Sequence, residues 1–317
     1  MDTAMLRDRA RIIKQVRSFF DGKHYLELDT PLLAPNLIPE SCLEVFQTNR
    51  IIPSGINGKP SSQPYWLIPS PEIWMKQIIA RHQINVYQIC KCFRNGESCG
   101  FLHSPEFTML EYYTINADYL DSLALTEELF ASFNTVFNLP FERMTVAQAF
   151  ARYAGFDLFA AAGEPGAMEA EARRLGLDPS GLETAVLYDL IFIHAVEPHL
   201  SQDRPVALLD YPAFVPTLAK HNTDGKTSQR WELYYKGIEL ANCFTEETDS
   251  EKVRDFFISQ EHVKKQTSLV PHNVDHHYHK HFDSFPACSG VALGLDRLIM
   301  AICGKSTIDS VLPFPMS

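Results

Sequence analysis

Apolar residues recur at helical spacing near the start of the chain, where Ile12, Ile13, Val16, Phe19 and Phe20 mark one face of residues 4–21 and Gly22 is a natural stop. Apolar and polar positions then alternate over 25–31, which predicts a short strand. Residues 53–64, PSGINGKPSSQP, are turn formers and predict a loop. Residues 65–69 read as a strand and 71–81 as a helix with Pro71 in its first turn, leaving Ser70 as a helix cap or a ligand contact. Segment 92–113 reads as strand, loop, strand. A helix is predicted over 118–138 from the apolar face of Leu123, Leu129, Phe130, Phe133 and Phe137. Thr145 and Gln148 stand at capping-box spacing, and Gly155 is placed to end the helix they begin. Residues 160–200 are mostly helical in pattern with breaks at GEPG and LDPSG, so 145–205 is predicted to be a mostly helical insertion within one domain spanning 1–317.

The stretch RWELYYKGIELANCF predicts two strands turning at Lys236 and Gly237, a turn that pairs Tyr234 with Glu239. Cross-strand partners share a face, as do residues two apart, so Glu232 and Glu239 project together and form a candidate magnesium pair. Simple parity puts Asn242 on the opposite side from Glu239. A bulge or strand end between them would bring both into one pocket.

Charge narrows the partners. The chain of 317 residues has 28 Lys and Arg against 39 Asp and Glu, a net charge of −11, which disfavours extensive binding to a polyanion such as tRNA. Its 45% hydrophobic and 21% charged content fits a soluble globular protein. No apolar run approaches the 18 or more residues that span a bilayer, and the N-terminus has charges too early for a secretory signal, so a cytoplasmic location is expected. Seven cysteines, an odd count, fit reduced thiols better than a disulfide framework. Cys90, Cys92 and Cys99 have no second pair at zinc spacing. Among the histidines of PHNVDHHYHKHF, His277 and His281 have helical spacing without an HExxH pattern, so the default is a solvated helix start capped by Asp275.

Candidate chemistry concentrates in CFRNGESCGFLHSPEFTMLEYY, residues 92–113. Arg94 offers a planar fork to phosphate oxygens, Glu97 an acceptor to the exocyclic amine of adenine, and Phe107 a flat apolar face. Arg297, in GVALGLDR, is the candidate for the other face of the purine; a desolvated guanidinium over a π-system contributes about 1 to 2 kcal/mol. Neither GxxxxGK[ST] nor GxGxxG is present, so this is not a P-loop or Rossmann nucleotide site.

Taken together, these segments resemble the catalytic domain of class II aminoacyl-tRNA synthetases of the lysyl type. LELDTPLL resembles motif 1, FRNGE to PEFTMLEYY motif 2, and GVALGLDRLIM motif 3, with IELANCFTEE between the second and third. The resemblance covers most of the chain and implies an α+β fold, an antiparallel sheet flanked by helices, in agreement with strands arranged around hairpins. It implies a homodimer through motif 1, with Pro31 as a structural residue there. It also implies an ATP site of Arg94, Asn95, Glu97, His103, Ser104, Phe107, Glu239, Leu240, Gly294 and Arg297, with Arg94 and Arg297 in catalytic roles and Mg²⁺ at Glu232 and Glu239. The amino-acid site it implies comprises Ser70, Pro71, Glu72, Tyr113, Asn242, Glu246 and Ala292. Glu246 is the candidate anion for a lysine-like amine, and a hydrogen bond to such a charged group contributes roughly 1.5 to 3 kcal/mol.

Three departures from the family pattern bear on function. Gly96 is inserted before Glu97, Ser104 replaces the usual Asn, and Ala292 stands where lysyl enzymes have Gly. A one-carbon change in such a pocket is worth about 1 to 3 kcal/mol. Together with a start directly before motif 1, where synthetases of this type carry an anticodon-reading OB fold, Ala292 resembles a branch of truncated paralogs that attach (R)-β-lysine to a lysine of elongation factor P. The expected activity is therefore ATP-dependent activation of lysine or (R)-β-lysine as an adenylate and its transfer to elongation factor P. A compact tRNA-charging enzyme and a non-catalytic paralog that senses lysine or adenylate are the alternatives.

Overall fold

A computed structural model describes residues 2–53, 60–96, 101–133 and 136–316. The first predicted helix forms as α1 (Thr3–Gly22), where the Asp2 side chain accepts from the Met5 backbone N–H at 2.8 Å. There follow β1 (Leu26–Glu27), β2 (Leu33–Ala34), β3 (Gln47–Ile52), β4 (Ser61–Leu67), α2 (Glu72–His82), β5 (Val86–Phe93) and β6 (Glu106–Ile115). Next come α3 (Tyr119–Ala131), β7 (Glu142–Thr145), α4 (Val146–Ala149), α5 (Leu158–Gly163), α6 (Ala167–Arg174) and α7 (Thr184–Ile191). The remaining long elements are β8 (Val206–Pro212), β9 (Thr227–Tyr235), β10 (Ile238–Thr245), α8 (Ser250–Thr267), β11 (Cys288–Gly294) and α9 (Leu295–Ile302).

Eight strands belong to one mixed sheet in an α+β fold, and the chain divides into two compact units. Met1–Asn116, Glu247–Cys288 and Ala292–Ser317 make the first. There β1 runs parallel to β5, and β5 pairs antiparallel with β6 so that Cys92 opposes Phe107 and Gln88 opposes Glu111. A separate antiparallel sheet has the order β2–β4–β3. One face of β5–β6 is covered by α1: Phe20 stacks on Tyr87 at 4.9 Å and meets Tyr112 at 4.8 Å. Burying such a ring stabilises by roughly 1.5 to 3 kcal/mol. The buried Arg9 of the same helix pairs with Asp296 at 2.6 Å and donates to Thr108 at 2.9 Å, tying α1 to the start of α9. Because side chains alternate along a strand, Phe107, Met109, Glu111 and Tyr113 all project from the other face of β6. That face carries the candidate site.

The second unit is Ala117–Glu246 with Ser289–Val291. Its strands are β10, β9, β8 and β7 in order, with β7 parallel to β8. The β9–β10 hairpin turns on Lys236 (φ 52°) and Gly237 (φ 74°), the two left-handed residues that match strand twist in a two-residue turn. The predicted capping box is present, with Thr145 Oγ1 accepting from Gln148 N at 3.1 Å and Gln148 Oε1 accepting from Thr145 N at 2.9 Å. Its helix runs through a wide turn at Phe150–Ala154 to Gly155, which takes the left-handed conformation (φ 79°). Phe150 stacks on Tyr188 at 5.3 Å in a core shared with Ile191, Phe192, Val206 and Leu208. The helices from 146 to 199 belong to this unit.

Some expectations shift. The sheet is mixed and not wholly antiparallel, because β1 and β7 run parallel to their neighbours. The strand expected over 25–31 shortens to Leu26–Glu27, with one further bond from Leu28 N–H to Tyr87 O at 2.8 Å. The helix expected to reach 138 ends at Ala131, while Phe133 and Phe137 bury beyond its end.

Candidate active site

In the first unit, Ser70 precedes α2 and does two jobs: its Oγ accepts from the Glu72 backbone N–H at 3.1 Å and donates to Glu111 Oε2 at 2.5 Å. Pro71 sits at the helix cap and Glu72 in the first turn, where Lys76 one turn on donates to Glu72 Oε1 at 2.5 Å. Tyr113 donates to the other Glu111 oxygen at 2.6 Å. Glu111 is only 2% exposed, and burial followed by the neighbouring Glu72 pushes its carboxyl up to about 8 despite the opposing influence of Ser70, Tyr113 and Lys76. Glu40, lining a cavity with Leu37, Ile38, Pro69, Ser70 and Glu72, is raised to about 7 by burial and again by Glu72, against the pull of Arg94, Lys264 and Lys76. Burial and mutual repulsion among Glu40, Glu72 and Glu111 therefore outweigh the nearby cations. An incoming ammonium that pairs with an ionised member of the group would relieve that repulsion.

Glu111 and Glu40 are not among the residues singled out from sequence. The signal for Glu111 was its parity: an acid two residues before Tyr113 and four after Phe107 in an otherwise apolar strand must share their face.

At the start of β6, the Arg94 guanidinium lies over the Phe107 ring at 5.3 Å. Arg297 donates from Nε to Leu102 O at 3.3 Å and contacts His103 Nε2 at 2.9 Å. The purine clasp expected from Phe107 and Arg297 thus has Arg94 over its aromatic half here. Asn95 holds a neighbouring segment, its N–H donating to Glu44 O at 2.9 Å and its Nδ2 to Val45 O at 3.3 Å. Gly96 is left-handed (φ 73°), a conformation that costs a side chain strain, so the extra motif 2 residue is of the type its backbone requires. Ser104 is buried, Ala292 is half-buried in β11, and Gly294 caps α9, where an added methyl would touch Arg297 Cδ at 3.5 Å. Glu97 and Cys99 lie outside the described residues; the sulfurs of Cys90 and Cys92 are 3.8 Å apart.

In the second unit the register pairs Tyr234 with Glu239, then shifts between Glu239 and Ala241 so that Asn242 opposes Glu232. Leu240, 1% exposed, is the extra residue of that bulge. Glu232, Glu239 and Asn242 consequently share one face, which parity alone does not give. Glu232 is tightly held: Oε2 accepts from Tyr211 at 2.7 Å and Tyr234 at 2.6 Å, and Oε1 accepts from Arg230 at 2.5 Å. Glu246, bridged to Ala219 beyond the end of β10, is 2% exposed. Farther on in the first unit, the histidine run forms a short 3₁₀ turn at Tyr278–Ser284, with Asp275 accepting from His277 N at 2.8 Å.

The model of the family described as tRNA synthetases class II (D, K and N) matches residues 2–317. Among curated proteins, the chain is 36% identical over 319 residues to an elongation factor P–(R)-β-lysine ligase of Vibrio atlanticus, covering 98% of this chain and 95% of that protein. It is 37% identical over 320 residues to the protein of that name from Photobacterium profundum, with the same coverage. A third, from Avibacterium paragallinarum, is 35% identical over 313 residues, covering 98% of this chain and 94% of that protein. With a match over nearly its whole length, the chain belongs to the class II tRNA synthetase family of the D, K and N type.

Proposed function

We propose that this protein is an ATP-dependent ligase that activates a lysine-like amino acid, (R)-β-lysine foremost, and transfers it to a lysine side chain of elongation factor P. The observation that carries the reading is the buried Glu111, held by Ser70 and Tyr113 beside Glu72 and on the same face of β6 as Phe107. Full-length similarity to relatives bearing that name supports it. A diamino acid brings a second ammonium that a neutral side chain of equal length lacks, and buried carboxylates reward it. Glu246 is assigned a role toward the same class of substrate, as are Asn242 and Ala292.

In the reaction, a carboxylate oxygen of the amino acid attacks the α-phosphorus of ATP and pyrophosphate leaves. The acceptor lysine amine then attacks the acyl carbon of the adenylate, loses a proton and displaces AMP. Approximation and electrostatics supply the rate, with Arg94, His103 and Arg297 meeting phosphate charge and Phe107 seating the base. Glu97 is proposed to read the adenine amine, and Asn95, Ser104, Leu240 and Gly294 to shape the ATP site. Mg²⁺ fits Glu232 and Glu239: they share a face, and Glu232 Oε1 keeps a lone pair beyond its bond to Arg230. Bound there, the ion would neutralise and orient phosphate oxygens. The protein is proposed to act in the cytoplasm as a homodimer; no described helix is long and apolar enough to cross a membrane.

The test incubates the purified chain with elongation factor P, ATP and (R)-β-lysine and follows intact mass. An ATP-dependent gain of one β-lysyl group is expected. Formation of lysyl-tRNA with no gain on the protein would reverse the assignment.

A further inference from the structure

Arg230 is a largely covered cation on the β9–β10 face, and no role was assigned to it from sequence. Its side chain is 14% exposed. The guanidinium carbon lies 4.5 Å from the centroid of Tyr211, whose hydroxyl is itself spent on Glu232. One terminal nitrogen is tied to Glu232, and Nε donates to Asn242 Oδ1 at 3.2 Å. Glu232 is in turn immobilised by two tyrosine hydroxyls. A planar guanidinium fixed at one edge and stacked on a ring has no rotational freedom left, so its Nε points in a set direction.

That direction matters because a carboxamide has an acceptor end and a donor end. With Oδ1 turned to Arg230, the end left for a ligand is Nδ2, which suits a carboxylate or acyl oxygen and repels an ammonium. We propose that Arg230 is a positioning residue for amino-acid activation, a role that rests on the activity proposed above: it orients the Asn242 amide so that its NH₂ group meets the carboxylate of the amino acid. A lysine at 230 would keep a charge for Glu232 but lacks a second, fixed donor for Asn242.

The test combines full-chain variants Arg230→Lys, Asn242→Ala, the double variant and Asn242→Asp in ATP–pyrophosphate exchange with (R)-β-lysine. Arg230→Lys is expected to raise the KM for (R)-β-lysine about tenfold while the KM for ATP stays within twofold, and the double variant should be no worse than Asn242→Ala alone. Inhibition by 1,4-diaminopentane, which keeps both amines of (R)-β-lysine at their spacing and lacks the carboxylate, should be the same in Arg230→Lys and the unmodified chain. Multiplying losses in the double variant, or a matching loss of diamine inhibition, would overturn the proposal. Asn242→Asp guards against misfolding of the arginine variant, since it keeps the oxygen facing Arg230 and replaces the donor that faces the substrate; exchange equal to that of the unmodified chain would refute the orientation. If the unmodified chain gives no exchange with either (R)-β-lysine or L-lysine, the activation reading fails separately. Urea unfolding of the same four-protein cycle then decides the brace: non-additive stability supports it, and additivity rejects it.

Discussion

The proton on Glu111 links the chemistry of one residue to binding. A carboxyl raised to about 8 is protonated through most of the neutral range, whereas in the unfolded chain it ionises near 4.5. The folded state therefore holds more protons than the unfolded state between those values, and stability contributed by this group falls as pH rises through that window and levels off above about 8. A bound ammonium has the opposite demand, since it prefers the ionised carboxylate. Diamino-acid binding should thus release a proton and tighten as pH rises from 6 to 8, by up to about tenfold per unit. Calorimetric titration with (R)-β-lysine across that range, in two buffers of different ionisation enthalpy, measures both effects, and Glu111→Gln should flatten the affinity profile and reduce the proton release, leaving the share that Glu40 supplies. An unchanged profile in that variant would remove Glu111 from the amine site. At this scale Ser70, Glu72 and Tyr113 were named through the family resemblance, and the structure groups all three around Glu111. Arg230 and Glu40 were not, because their partners are set by strand register or by cavity shape.

At the scale of elements, hairpin and caps followed from short-range rules: the Lys236–Gly237 turn and the Thr145–Gln148 box need only neighbouring residues. The bulge at Leu240 was not legible, because it exists only against the partner strand. The same holds for the attachment of residues 40–46 to α8. Gln260 accepts from Ser41 Oγ at 2.7 Å, Glu44 accepts from the Leu269 and Val270 N–H groups at 2.9 and 3.1 Å, and Lys264 donates to Glu40 O at 2.9 Å and to Leu43 O. Lys264 is 5% exposed, so its ammonium serves those carbonyls away from water. Lys264→Met keeps most of the stem and orphans two carbonyls. The expected cost is about 1 to 3 kcal/mol in urea unfolding, with amide exchange accelerated over 41–46 ahead of β5 and β6. Uniform acceleration over both regions would mean that the segment has no independent opening and that α8 is not what secures it.

For the whole molecule, net charge separates two acceptors that the active site alone does not. The nucleotide and amino-acid chemistry is the same whether the adenylate is passed to a ribose hydroxyl or to a lysine amine. An RNA acceptor, however, is held largely through phosphates, and each neutralised phosphate releases a counterion, which makes affinity fall steeply with salt. A chain with 39 acidic and 28 basic residues is poorly supplied for that mode, although a local basic groove can coexist with an acidic total. Transfer to elongation factor P from a preformed adenylate should therefore change by less than about threefold between 50 and 200 mM salt, because few ion pairs with a polyanion are broken. A tRNA acceptor making six or more phosphate contacts would instead lose on the order of a thousandfold in affinity over the same interval. Single-turnover transfer with subsaturating acceptor across that salt series reads the difference directly, since the adenylate is already formed and the ATP site no longer contributes. A steep decline with elongation factor P would show that a charged docking surface governs recognition, and the acidic total would then be a poor guide to the partner.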